Sequence, residues 1–142
     1  MVNLKPWISI AAGLCLAACG GGNQGRDVSG ADTDFQTTLM EQLIDAEPGD
    51  VIEIPAGVFS FDRSLSLTVD GVTIRGAGMD ETILSFANQT SGAEGLLVTA
   101  SDFTIEDLAI EDTRGDALKI NEGENIIIRR VRTEWTNGPD TD

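Results

Sequence analysis

Few side chains in this 142-residue chain have types and spacing suited to chemistry, and most of the ionisable ones are acidic. There is no histidine, so the commonest general base and metal ligand is missing. What remains is nine Lys/Arg against 24 Asp/Glu, a net charge of −15. Such a chain repels nucleic acid and anionic lipid surfaces, which removes both as expected partners. Arg75, Glu106 and Arg129 recur at spacings of 31 and 23 residues with alternating sign. Side by side on one surface they would be one wall of a groove for a sugar. The plainer reading is a surface charge ladder worth about 0–1 kcal/mol per pair. These three are the candidate binding residues.

The other basic side chains near the end are Arg114, Lys119, Arg130 and Arg132. No spacing among them defines a base and its partner, so no catalytic residue is assigned. Acidic residues gather where turns are expected: Glu111, Asp112, Asp116, Glu122, Glu124, Asp140 and Asp142. Calcium takes six to eight oxygen ligands. No D-x-[DN]-x-[DN]-G loop is present, so solvated turns are the expectation and no metal ligand is named. A Ca2+ site at these turns is the alternative.

The two cysteines belong to the N-terminus. One positive charge, Lys5, precedes an apolar run from Pro6 to Ala18. That run is too short to span a bilayer, which takes about 20 residues, and it fits the apolar region of a signal peptide. It ends in Leu16-Ala17-Ala18-Cys19. This resembles the lipobox of bacterial lipoproteins, which implies cleavage after residue 18 and lipid attachment to the Cys19 thiol. Cys15 would leave with the signal, so no disulfide is expected. Stable anchoring needs more than one acyl chain, and lipoproteins of this kind carry several. Gly20 in place of aspartate implies sorting to the outer membrane. Residues 19–31 are rich in glycine and read as a flexible tether.

The elements that position the candidate residues start with a helix at about 33–46. Thr33 and Gln36 match a capping box, and Phe35, Leu39, Leu43 and Ala46 form one apolar face that Met40 and Ile44 widen. Pro48-Gly49 stop it. Val51, Ile52 and Ile54 then begin a first rung beneath that face. From there the period is two, with short strands expected at 51–54, 58–61, 65–69, 72–75, 82–86, 95–99, 103–106, 108–111, 117–120, 126–129 and 131–134.

An internal repeat decides how such short strands are used. Val72-Thr73-Ile74-Arg75, Phe103-Thr104-Ile105-Glu106 and Ile126-Ile127-Ile128-Arg129 are one strand three times. Leu65/Leu67, Leu96/Val98 and Leu118/Ile120 repeat upstream, and Leu108/Ile110 correspond to Val131/Thr133. A coil of about 22 residues predicts an all-β parallel solenoid, with the longer coil's extra residues in a loop at Asn88–Glu94. The inward columns are Val72–Phe103–Ile126, Ile74–Ile105–Ile128, Leu65–Leu96–Leu118 and Leu67–Val98–Ile120. Outward columns are Thr73–Thr104–Ile127 and Ser66–Leu97–Lys119. Asn121 and Asn125 bracket one turn, where asparagine tolerates a left-handed backbone and bonds its own turn.

The helix, P-G-D-V-I-E-I-P-A-G-V-F and V-T-I-R-G-A-G-M-D-E-T-I-L-S-F together resemble the N-terminal cap and first coils of right-handed parallel β-helix proteins of the pectin-lyase-like group. G-D-A-L-K-I-N with N-I-I-I-R-R-V-R is similar to repeat-bearing bacterial surface members. The resemblance implies a β-helix over 32–142 with an N-terminal capping helix. It leaves activity open, since the group includes polysaccharide lyases, hydrolases and epimerases. About three and a half coils are present and Trp135–Asp142 reads as a turn, so the expectation is a truncated solenoid. Two functions follow. One is a lipid-anchored, non-catalytic scaffold of the cell envelope that binds polysaccharide. The other is the N-terminal part of a lyase or epimerase whose catalytic coils lie beyond residue 142.

Overall fold

Short β-branched runs separated by Gly, Asp and Asn cannot bury enough surface singly, and stacking is how they do it. The structure, a computed structural model, describes residues 31–136. It consists of one helix, α1 (Ala31–Ile44), followed by nine strands: β1 (Val51–Glu53), β2 (Gly57–Ser60), β3 (Arg63–Leu67), β4 (Thr73–Arg75), β5 (Thr82–Ser85), β6 (Ser91–Thr99), β7 (Thr104–Glu111), β8 (Leu118–Glu122) and β9 (Ile127–Glu134). Every strand pairing is parallel. One sheet stacks β1, β4, β7 and β9, with β2 and β5 joining the second half of β7; the other stacks β3, β6 and β8. This is a β-solenoid of about four turns preceded by a helix.

The register is the one the repeat predicts. Ile52, Ile74, Ile105 and Ile128 are successive partners, as are Leu65, Leu96 and Leu118, and Leu67, Val98 and Ile120. Leu67, Val72, Val98, Phe103 and Ile105 are fully buried in the shared core. Phe61 and Phe86 stack inside it at 5.1 Å between ring centroids.

Eleven expected strands are nine, because 103–106 with 108–111 and 126–129 with 131–134 each run through as one. A single left-handed residue bends each of them: Asp107 (φ 59°) in β7 and Arg130 (φ 51°) in β9. A second column of left-handed corners, Gly49, Gly71, Asp102 and Asn125, recurs once per coil. Its backbone is stitched along the stack: Gly49 N–H donates to Gly71 O, and Gly71 N–H to Ser101 O. Only Asn125 of the two expected asparagines is left-handed, and it does not bond its own turn. Its Nδ2 donates to Asp102 Oδ1 at 2.8 Å, one coil below. Asn121 lies in β8.

The longer coil carries its extra residues in two places, not one. Arg75 to Ile83 is eight positions where Glu106 to Ala109 is three, and Ser85 to Leu96 is eleven where Glu111 to Leu118 is seven. The first insertion, Gly76–Glu81, is held by buried Thr82, whose Oγ1 accepts from Ala77 N–H at 2.8 Å and donates to Pro55 O at 3.0 Å. Gly76 is required there, because a Cβ would lie 2.1 Å from Asp107 O. The second insertion extends β6 and is held by buried Gln89, which donates to Glu94 O and accepts from Arg114 N–H.

The capping box does not form. The helix begins ahead of Thr33, and Gln36 turns away from the helix end to Asp62. Leu39 and Leu43 are buried, and Phe35 stacks on Phe59 at 3.9 Å. The helix therefore packs on β2 and β3 more than on β1. Ile52 and Ile54 are buried, whereas Val51 and Ile44 are exposed, so Val51 is not under the helix and Ile44 does not widen its face.

Candidate functional site

Four strands of the longer sheet, β1, β4, β7 and β9, put one outward residue per rung in a line. Glu53 partners Arg75, Arg75 partners Glu106, and Glu106 partners Arg129. The three candidate residues are thus brought together, and Glu53 extends them by one rung. The repeat alone could have found Glu53, since it follows Val51-Ile52 as Arg75 follows Thr73-Ile74.

Glu106 is the centre. It points out of the sheet yet is only 1% exposed, because arginine side chains cover it from both sides. Arg75 Nε donates to Oε1 at 2.6 Å, Arg129 Nε donates to Oε2, and Arg130 Nη2 reaches Oε2 at 3.4 Å. Arg75 Nη1 lies 3.7 Å from Glu53 Oε1. These donors, Arg129 first and then Arg75, hold the Glu106 carboxyl below its usual pKa range, against the opposing effect of burial. Asp107 beside it is held low by Arg130, whose Nη2 donates to Oδ2 at 2.8 Å. Charged groups are thus paired along the stack at the rung spacing of about 4.8 Å.

The arginines are only partly consumed by this. Arg75 and Arg129 bind Glu106 through Nε, and their side chains stay 43% and 55% exposed. An open cleft of about 430 Å3 lies at the lower end of the column, lined by Glu53, Ile54, Pro55, Arg75, Gly76 and Ala77. Chemically the surface offers guanidinium donors beside carboxylate acceptors on a rigid sheet. That arrangement can bind hydroxyls and anions.

The other basic candidates are dispersed. Lys119 Nζ pairs with Glu94 at 3.1 Å on the other sheet. Arg132 pairs with Glu111 at 2.8 Å and with Glu134. The Arg114 side chain is exposed. Among the described residues, no three acidic side chains sit close enough together to hold a metal ion. Cys19, the signal sequence and residues up to 30 lie outside the described residues, as do Asp140 and Asp142. Among the described residues no helix is long and apolar enough to cross a membrane.

No family model, no curated protein and no solved structure matches this chain.

Proposed function

We propose that this chain is a lipid-anchored scaffold of the bacterial cell envelope that binds polysaccharide on the outer face of its longer sheet. The observation that carries this reading is the Glu53–Arg75–Glu106–Arg129 column. Its donors and acceptors repeat on a rigid lattice, so a chain ligand with regularly spaced hydroxyls or carboxylates can meet several rungs at once. Preorganisation matters here because a flexible sugar already loses entropy on binding, and a surface locked by the Glu106 bonds adds little further cost. Pairing with Glu106 also keeps the arginines in place while their side chains stay partly exposed. The lipobox-like Leu16–Cys19 segment supports the address, and the glycine-rich tether would hold the sheet clear of the bilayer. Membership of the pectin-lyase-like group rests on the sequence resemblance stated above, and binding without turnover is the reading for this chain.

Calorimetric titration of the full chain with pectate, alginate and neutral oligosaccharides tests it. Saturable binding that is lost in the Arg75→Ala/Arg129→Ala double variant, with its circular dichroism retained, is the expected result. No binding to any of these sugars, or binding that survives the double variant, would overturn it. Appearance of unsaturated products by ultraviolet absorbance would replace the scaffold by a lyase.

A further inference from the structure

The two charges at the foot of the column discriminate between kinds of polysaccharide. Arg75 Nη1 and Glu53 Oε1 lie 3.7 Å apart, too far for a direct hydrogen bond and close enough for one ligand group to bridge them. The Glu53 side chain is 75% exposed, and Arg75 uses its Nε on Glu106. Both residues line the cleft whose other walls are Ile54, Pro55, Gly76 and Ala77. Pro55 and Ala77 are exposed, so the surface beside the charges is aliphatic and suits the C–H face of a sugar ring.

A donor beside an acceptor fits a hydroxyl. One hydroxyl can accept from Arg75 and donate to Glu53, and a vicinal pair of hydroxyls can take one partner each. A carboxylate only accepts. Seated on Arg75, it would stand against the Glu53 charge. Nor does the column hold a surplus of positive charge to draw it in. Arg75, Arg129 and Arg130 are matched by Glu53, Glu106 and Asp107, which they contact.

The surrounding field acts in the same direction. Residues 31–62 contain eight Asp/Glu and no Lys/Arg, and Asp45 and Asp50 line a second cleft that shares Glu53 with the first. A polyanion approaching the foot of the column is repelled, and a neutral chain is not. We propose that the ligand of this face is a neutral, hydroxyl-rich polysaccharide, and that Glu53 is the residue that turns polyuronates away. This rests on the polysaccharide-binding reading and narrows it to one class of chain.

Calorimetric titration of the full chain compares hexagalacturonate with cellohexaose, xylohexaose and mannohexaose at one ionic strength. The best of the neutral sugars should bind about tenfold more tightly than hexagalacturonate, or better. Added salt should narrow that gap, because it screens the repulsion and leaves neutral binding alone. Glu53→Gln removes the charge and keeps the shape of the side chain. It should strengthen hexagalacturonate binding about threefold or more, with no such gain for the neutral sugar. Circular dichroism reports whether that variant folds, and the comparison among sugars needs no variant. Hexagalacturonate binding as tightly as the best neutral sugar, or an unchanged preference in folded Glu53→Gln, would overturn the proposal and leave polysaccharide binding standing. Absence of binding to all four sugars would overturn the polysaccharide reading and this proposal together.

Discussion

Gln36 and Asp62 hold each other by two bonds: Gln36 Nε2 donates to Asp62 Oδ1 at 2.9 Å, and Asp62 N–H donates to Gln36 Oε1 at 2.8 Å. One residue is in the helix and the other at the corner between β2 and β3, 26 positions apart. The same corner carries the next rung, since Asp62 O accepts from Thr90 and Ser91 N–H. The amide therefore joins the cap to the stack at a site where Gln36 is only 6% exposed.

Removing that amide should loosen the cap. Gln36→Leu keeps the volume and leaves the Asp62 N–H without its partner, a cost of about 1–3 kcal/mol. Urea unfolding should show it as a lower midpoint. Gln36→Glu should be worse than Gln36→Leu at neutral pH, because it sets a carboxylate against Asp62, whose pKa is already lowered by Arg63 and Gln36.

Phe35 is the apolar counterpart of the same junction. Its ring stacks on Phe59 and meets Phe61 edge-on at 6.4 Å. Phe35→Ala should cost about 2–4 kcal/mol, toward the lower end because the ring is only partly buried. Helix amides should then exchange faster than those of β7, which hydrogen–deuterium exchange resolves.

Acid should act on the charged column. Glu106 and Asp107 have pKa values below their ordinary 4.5 and 3.8 when folded. The stability they supply is therefore fully present above those ordinary values and is lost as pH falls through the folded ones. Thermal midpoints measured from pH 6 downward should drop in that window. Glu106→Gln should lower the midpoint at pH 6 and flatten the decline, since one of the two titrating groups is gone.

Gly76→Ala tests the crossing between the first insertion and β7. The added methyl meets Asp107 O at 2.1 Å and Leu108 Cβ at 2.8 Å, which are backbone and core atoms with little room to yield. A loss of about 1–3 kcal/mol is expected, measurable by urea unfolding. Gly78→Ala in the same loop meets only the Glu81 side chain, at 3.6 Å and beyond, and should be nearly neutral.

Much of the fold was legible in residue order. A parallel stack needs the same side-chain type at the same place in each coil, so Ile74–Ile105–Ile128 and Leu67–Val98–Ile120 reveal the coil before any coordinates exist. The same logic aligned Arg75, Glu106 and Arg129. Sequence by itself determined the repeat, the inward columns and the charge alternation, because each is a matter of period and type. Only the tertiary structure decided the rest. Gln36 stands three residues after Thr33, the spacing of a capping box, and takes a distant partner at Asp62 instead. The extra residues of the longer coil divide between two loops, because Gly76 and Thr82 let one of them cross close to β7. Glu106 is outward by pattern and buried in fact, because arginines from both neighbouring rungs close over it. Each of these depends on what another coil supplies, and no local stretch of the chain contains that information.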